Sequence, residues 1–222
     1  MQQTTKQIHE VRRRPAPAGR CQPLALYDGL VWTGSWETDR IYGVDPNTWS
    51  VVQEVPAPGK PYGIAALGDA LHVVVSDGGE EDDRYLYRFV PREGFIAESK
   101  TPCPQMTGSH LTSDGKRLYL GQAHEHRIVT LDAAYGITDT FALSTRTGGF
   151  GFGPGNKLYF IAADDDFDNL TFGTLELKPR DSTFEAIATI DAGFRSLAFD
   201  GSVWYTSDRE DGEIVTFATP ST

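Results

Sequence analysis

The chain of 222 residues contains five copies of one hairpin signature, and this repeat constrains the fold more than any other feature of the sequence. Each copy has an apolar strand, a turn that contains glycine, and a second apolar strand with an aromatic residue or a histidine near its start. Equivalent positions fall at intervals of 40, 47, 40 and 45 residues, at Trp32, His72, Tyr119, Tyr159 and Trp204. Such a period is typical of propeller blades that are four-stranded sheets.

Each hairpin is followed by a polar loop and a third strand, for example RIYGVD from Arg40 and RIVTLD from Arg127. A short turn and a fourth strand follow in the first four copies: SVVQEV, FIAES, ITDTFAL and FEAIATI. Alternation with β-branched and aromatic residues supports strands, and no stretch has a sustained helical apolar period. The sequence therefore predicts an all-β fold with almost no helix.

The two ends of the chain complement each other. The fifth copy ends at Thr222 before any fourth strand, while the N-terminus has an unassigned strand, KQIHEVRR from Lys6. Because an open ring would leave an unpaired sheet edge, we predict that the N-terminal strand closes the last blade. The prediction is a single five-bladed β-propeller domain over 1–222, with approximate blades 20–60, 61–105, 106–146, 147–192, and 193–222 together with 1–19.

The composition excludes several classes of protein. With 31 acidic and 20 basic residues the net charge is −11, which argues against a nucleic-acid surface. The longest apolar runs, such as 71–75, are too short to span a bilayer, and the N-terminus has no apolar signal region. Cys21 and Cys103 precede innermost strands at blade junctions that are not adjacent, so two free thiols are expected. We therefore expect a cytoplasmic protein without nucleic-acid or membrane partners.

The segments RIYGVDPNTWSVVQEV, KPYGIAALGDALHVVV and RSLAFDGSVWYTS resemble the broad group of bacterial propellers that includes virginiamycin B lyase-like, gluconolactonase-like and YVTN or NHL repeat proteins. The resemblance covers most of the chain and concerns blade architecture. Blade number departs from it, since those lyases have seven blades and the lactonases six. Glutamine cyclotransferases have five blades and a similar DP-x-T turn followed by PYGIA, but no segment like FTEGL or FTQGL is present here. The resemblance implies a lyase, hydrolase or cyclotransferase activity.

The loops between second and third strands are strongly acidic. In a propeller these loops emerge on one face around the channel mouth, where function is usually located. Here they read SWETD, DGGEEDD, AHEH, ADDDFDN and DREDG, and they hold 15 of the 31 carboxylates. They are either solvated loop tips or a surface that attracts a cation, as calcium and magnesium prefer hard oxygens. The expected partner is accordingly a small molecule or a cation at this face.

Three histidines of the third blade form a candidate metal site. His124 and His126 flank Glu125 in a top loop, and His110 begins the innermost strand. Two imidazoles and a carboxylate would suit zinc or another transition metal. Together with the carboxylate loops, which would suit calcium or magnesium, the candidate cofactor is Ca, Mg or Zn. Alternatively, HEH is a solvated loop and His110 a hydrogen-bonded channel residue. For a metal-assisted lyase or hydrolase, the candidate catalytic groups are His110, Glu125 and Glu37.

A second candidate site surrounds the channel mouth and binds a ligand through Trp36, Tyr62, Phe150, Phe194 and Arg195. Aromatic faces beside arginine suit a small anionic or aromatic molecule, although the three Tyr and Phe rings could instead fill a narrow channel. No nucleophile elbow, P-loop or dinucleotide fingerprint occurs. A ligand-binding or scaffold propeller is therefore the favoured hypothesis, with a metal-assisted lyase or hydrolase and a glutaminyl cyclotransferase as alternatives.

Overall fold

The computed structural model describes residues 6–191 and 193–220, and this part of the chain forms five mainly antiparallel sheets arranged in a ring. The five-bladed β-propeller predicted from the repeat is confirmed. Helical structure in these residues is limited to single 3-10 turns at Ala97–Ser99, Pro104–Met106 and Pro154–Asn156. None of the described helical segments is long and apolar enough to cross a membrane.

In each blade the strands run from the channel outward in chain order, except that an N-terminal strand is added at the outer edge of blades 4 and 5. Blade 1 contains β3 (Cys21–Tyr27), β4 (Leu30–Ser35), β5 (Arg40–Val44) and β6 (Val51–Pro56). Blade 2 contains β7 (Lys60–Leu67), β8 (Ala70–Ser76) and β9 (Arg84–Val90), with β10 (Gly94–Phe95) and β11 (Thr101–Pro102) at its edge. Blade 3 contains β12 (His110–Ser113), β13 (Leu118–Gln122), β14 (Arg127–Leu131) and β15 (Ile137–Ala142).

Blades 4 and 5 complete the ring. Blade 4 contains β16 (Arg146–Phe152), β17 (Leu158–Ala163), β18 (Leu170–Glu176) and β19 (Thr183–Ile190), with β1 (Lys6–Gln7) added outside. Blade 5 contains β20 (Phe194–Phe199), β21 (Trp204–Asp208), β22 (Glu213–Phe217) and, as its outermost strand, β2 (Glu10–Pro15). The innermost strands β3, β7, β12, β16 and β20 contact one another in this order around the channel.

The predicted closure by the N-terminal strand is confirmed, because β2 pairs antiparallel with β22. The segment from Lys6 is nevertheless two short strands rather than one, since β1 first pairs in parallel with β19 of blade 4. At the junction Arg13 donates to Asp208 (3.0 Å) and to Glu213 (2.8 Å). The N-terminal segment thus joins blade 4 to blade 5 and neutralises a buried carboxylate.

The fourth strand of blade 2 differs from the expected continuous strand FIAES. It is divided into β10 and β11, which both pair with β9 on either side of the turn Ala97–Ser99. The hydroxyl of Ser99 accepts a hydrogen bond from the Arg88 amide (2.8 Å) and donates to the Ile96 carbonyl (2.6 Å). A side chain therefore satisfies backbone groups where the strand pairing is interrupted.

The apolar core lies between adjacent blades. Trp204 is fully buried and its ring contacts Tyr159 and Phe172 of blade 4, with centroids 4.9 and 5.8 Å away. At the channel the innermost strands approach closely: a Cβ atom at Gly63 would lie 2.9 Å from the Leu111 nitrogen, and one at Gly151 would lie 2.7 Å from the Leu197 oxygen. Only glycine fits there without displacing the backbone of the next blade.

Candidate functional site

A cavity of about 700 Å³ occupies one end of the channel. Its walls come from the first residues of innermost strands and from the loops between second and third strands. Loops of blades 1, 3, 4 and 5 contribute Trp36, His124, Asp166 and Glu210, while blade 2 contributes Arg84 from the end of its loop. The acidic loops of the sequence therefore do surround this channel mouth.

Arg195 is the most deeply buried cation of the cavity, with 6% of its surface exposed. Its Nη1 donates to the carbonyl of Phe194 (2.9 Å), and it has no ion-pair partner among the residues described. Its guanidinium carbon lies 5.0 Å from the centre of the Phe167 ring. Burial lowers the pKa of Arg195 to about 10, and the charge of Arg209 acts in the same direction. The group is still charged at neutral pH. Glu210 and Asp208 lie close enough to raise its pKa, but neither forms an ion pair with it among the described residues.

Two further arginines face aromatic rings at the junction of blades 1 and 2. The guanidinium carbon of Arg84 lies 3.6 Å from the centre of the Tyr62 ring, and that of Arg209 lies 4.8 Å from the Trp36 ring. The two rings contact each other with centroids 4.3 Å apart. Stacking of this kind helps to hold each guanidinium in place. Both groups also have carboxylate partners, since Arg84 pairs with Asp82 (2.7 Å) and Arg209 with Glu210 (3.8 Å).

Hydrogen bonds across the blade junctions hold these side chains in position. Gln22 Nε2 donates to the Tyr62 carbonyl (3.2 Å), and the Ser196 hydroxyl donates to the Gln22 carbonyl (2.5 Å). Arg84 Nη1 donates to the Gly108 carbonyl (2.6 Å). Each bond joins neighbouring blades, so the rigidity of the ring is transmitted directly to the cavity floor.

His110 is buried beside these arginines, with 4% of its surface exposed, and it lines the cavity. Burial is the main cause that lowers the pKa of His110 to about 3, and the three guanidinium groups act in the same direction. Its imidazole is therefore neutral at physiological pH. The Nδ1 atom has no hydrogen-bond partner in the described part of the chain.

Carboxylates form the other side of the cavity. Asp166 and Asp168 come from the blade 4 loop, and Asp208, Glu210 and Asp211 come from blade 5. In a ring of five, blade 4 lies opposite the junction of blades 1 and 2, so its Asp166 and Asp168 lie across the cavity from that junction. The carboxylates of blade 5 instead share a blade with Arg195 and Arg209, so charges of both signs lie side by side there.

The predicted ligand residues divide into two groups. Trp36, Tyr62 and Arg195 line the cavity together, as the hypothesis required. Phe150 and Phe194 do not, because each is 1% exposed and packed between blades. Strand β16 begins at Arg146, so Phe150 lies in mid-strand opposite Phe160, and Phe194 faces the core because the adjacent Arg195 faces the cavity.

The predicted metal and catalytic groups are also divided. His110 and His124 line the cavity, whereas His126, Glu125 and Glu37 do not. In the tight turn 123–126 the His126 amide donates to the Ala123 carbonyl, and only His124 is left facing the cavity. Within residues 6–191 and 193–220, no three His, Cys, Asp or Glu side chains are grouped to hold a metal ion. The three histidines therefore do not fit the expected Ca, Mg or Zn site, and three nearby guanidinium groups would repel a cation at His110.

Arg84 and Arg209 were not identified from the sequence. An arginine begins the third strand in three repeats, at Arg40, Arg84 and Arg127, but that pattern alone does not say which one reaches the cavity. Arg40 pairs instead with Glu54 on the fourth strand (3.2 Å), and Arg127 donates to Gln122 (2.6 Å). Arg209 lies within a loop whose net charge is negative, so the charge of that loop gave no indication of a cation there.

The two cysteines take no part in this site. Cys21 and Cys103 are free and buried, as expected. Burial raises the pKa of the Cys21 thiol to about 11 and that of the Cys103 thiol to about 12. Both are therefore protonated and unreactive at neutral pH.

These features define a five-bladed β-propeller with a cavity of mixed charge at one end of its channel. Solved structures share the fold at low sequence identity. Virginiamycin B lyase from Staphylococcus aureus is 18% identical, with a TM-score of 0.53 over 93% of this chain and 68% of the lyase chain. Glutaminyl cyclase from Myxococcus xanthus is 10% identical, with a TM-score of 0.67 over 96% of this chain and 97% of the cyclase chain.

A third similar structure is the PQQ-bound aldose sugar dehydrogenase from Streptomyces coelicolor, 13% identical, with a TM-score of 0.63 over 97% of this chain and 81% of that chain. No protein-family model and no curated protein sequence matches this chain. At these identities the likeness concerns the fold. The resemblance to bacterial propellers seen in the sequence is confirmed at that level, and these neighbours are enzymes.

Proposed function

We propose that this protein is a cytoplasmic propeller that binds a small organic anion in the cavity at its channel mouth. The observation that carries the proposal is Arg195, a buried guanidinium that lines the cavity without an ion-pair partner in the described chain. A buried charge is unfavourable unless it is paired, so an anionic ligand would stabilise this group by supplying the missing partner.

The surroundings of Arg195 favour a planar anion such as a carboxylate. Arg84 and Arg209 add positive charge that aromatic rings and polar neighbours already hold in place, and the guanidinium edge of Arg195 matches the two oxygens of a carboxylate. Trp36, Tyr62 and Phe167 offer ring surfaces to an apolar ligand body. A volume of about 700 Å³ is within the range of small-molecule sites.

Calorimetric titration with benzoate, and with benzamide as its uncharged counterpart, tests the proposal. We expect benzoate to bind and benzamide to bind at least about ten-fold more weakly, because only the carboxylate forms charge-assisted hydrogen bonds. Arg195→Gln should reduce benzoate affinity by at least about ten-fold.

Two further variants complete this experiment. Arg209→Gln removes a less buried cation of the same cavity, so it should weaken benzoate binding with little effect on melting temperature. Arg180→Gln removes an exposed arginine in the turn between β18 and β19 and should change nothing. Equal affinity for benzoate and benzamide, or equal affinity in all variants, would refute the proposal.

A second candidate function is conversion of the bound molecule, and His110 favours it. Its Nδ1 atom has no hydrogen-bond partner among the described residues, so this neutral imidazole is free to hydrogen-bond to a substrate. Cyclisation of an N-terminal glutamine moves one proton from the attacking amine to the departing ammonia. The structural neighbour from Myxococcus xanthus is a glutaminyl cyclase. This candidate therefore concerns the same cavity as the binding proposal.

Incubation with a glutaminyl dipeptide, followed by mass spectrometry, tests the second candidate. We expect loss of ammonia from the peptide with the native protein and no loss with His110→Asn, whose folding is checked by its melting curve. Unaltered peptide after prolonged incubation would end this candidate and leave the binding proposal standing.

A further inference from the structure

Some of the opposite charges that line this cavity are paired, as in Arg13–Asp208 (3.0 Å) and Arg209–Glu210 (3.8 Å), but others are not. The Phe167 ring, which contacts Arg195, stands in the chain between Asp166 and Asp168, and both carboxylates line the cavity. Neither aspartate forms an ion pair with Arg195 or with another residue that the structure describes, although Asp165 in the same loop pairs with Arg146 (2.8 Å). Anionic and cationic groups are therefore available to one ligand in the neighbourhood of a single aromatic ring.

A buried carboxylate on the same acidic side also lacks a partner. Asp208 lines the cavity and is 1% exposed. Its Oδ2 accepts from Arg13 (3.0 Å), but its Oδ1 has no hydrogen-bond partner among the described residues. Buried polar atoms are nearly always satisfied in folded proteins, so this oxygen indicates a donor that the chain itself does not supply.

We infer that the ligand of this cavity is a zwitterion, with a carboxylate among the arginines and an ammonium group at the acidic rim. This inference rests on the proposed anion binding and names the class of anion. A dianion would bring its second charge towards Asp166 and Asp168, and a dication would bring one towards Arg195. Like charges at either wall disfavour both, so the cavity selects a molecule that carries one charge of each sign.

Four probes built on one ring separate these cases by calorimetry: benzoate, 4-(aminomethyl)benzoate, terephthalate and benzylamine. We expect 4-(aminomethyl)benzoate to bind about five-fold more tightly than benzoate, because an added ammonium group at an exposed acidic rim contributes modestly. Terephthalate should bind more weakly than benzoate, and benzylamine most weakly.

Replacement of the rim charges assigns the effect. The double variant Asp166→Asn and Asp168→Asn should abolish the advantage of 4-(aminomethyl)benzoate while benzoate affinity stays the same or rises. Both positions are exposed, so folding should be unaffected. The control pair Asp28→Asn and Asp181→Asn, exposed and outside the cavity, should keep the advantage.

Each remaining outcome is decisive. Terephthalate or benzylamine binding as tightly as the zwitterion overturns the inference, as does an advantage that survives the double variant. If benzoate binds and 4-(aminomethyl)benzoate does not, the zwitterion is excluded while the proposed anion binding stands. If neither benzoate nor any other probe binds, the proposed function itself fails.

Discussion

A protein that lacks residues 1–15 is expected to lose its cooperative melting transition, or to melt far below the full chain. Strand β2 forms the outer edge of blade 5, and its Arg13 neutralises the buried carboxylate of Asp208. Removal leaves an unpaired edge on β22 and a buried charge without its partner. Together these cost more than about 5 kcal/mol, which is comparable with the whole stability of many domains. Circular dichroism during heating measures the effect.

Two variants and an added peptide test why the truncated protein loses stability. Val11→Thr, at an exposed position of the same strand, should change stability by less than about 0.5 kcal/mol. Arg13→Met keeps the strand but leaves Asp208 unpaired, and it should cost about 3 kcal/mol. A synthetic peptide of residues 1–19 should restore part of the transition by adding the missing strand. Melting of the truncated protein at the original temperature would show that the ring does not depend on this closure.

Trp204→Ala is expected to destabilise the protein by about 3–5 kcal/mol, which lowers Tm by about 10 °C in a chain of this size. The indole is fully buried between blades 4 and 5, and its Nε1 donates to the Thr219 hydroxyl (2.9 Å). Truncation would leave a cavity bounded by Tyr159, Phe172 and Phe217, whose rings are fixed by their own strands. Urea unfolding followed by fluorescence gives the free energy.

Two other tryptophans provide the comparison. Trp32 occupies the equivalent position of blade 1 and is also fully buried, so Trp32→Ala should have an effect of similar size. Trp49 is half-buried in a turn, where its Nε1 donates to the Pro15 carbonyl (2.8 Å). Trp49→Ala should cost about 1 kcal/mol. Equal losses for Trp204 and Trp49 would contradict the structural importance of the repeat position.

The fold could be predicted because its information is periodic. Five hairpins with an aromatic residue or a histidine at one repeated position, together with an unpaired N-terminal strand, leave few architectures other than a closed ring. The sequence prediction differs from the structure where local strand pairing departs from the repeat. The edge of blade 2 is divided around a turn that Ser99 stabilises, and the segment from Lys6 changes from blade 4 to blade 5 within a few residues.

The candidate site was less predictable because it depends on which side chains of each strand face the cavity. Successive side chains in a strand face opposite sides, so one residue of register decides that Arg195 faces the cavity and Phe194 the core. The repeat predicts Phe150 just before the innermost strand of blade 4, at the channel mouth. Strand β16 instead begins several residues earlier, at Arg146, so Phe150 lies within the strand. Arg84 and Arg209 stand among acidic residues in the sequence. The net charge of a loop does not indicate which of its side chains faces the cavity, so the sequence did not identify them.

The innermost strands approach one another closely, so we expect the cavity at the channel mouth to have a single opening. The depression at the other end of the channel is lined by a separate set of residues, among them Leu24, Ile64 and Leu197, and the two share none. Between them, Gly63 and Gly151 lie against the backbone of the next blade. We therefore expect no passage through the ring for a bound molecule where the described residues line the channel.

A ligand bound there as proposed would leave by the opening through which it entered, so departure of one molecule would have to precede arrival of the next. The same geometry limits the size of what can be recognised. A long chain cannot be threaded through the ring, and a polymer could present only its end to Arg195. Any molecule held at the inner end of this cavity would therefore be either small or the terminus of a larger molecule.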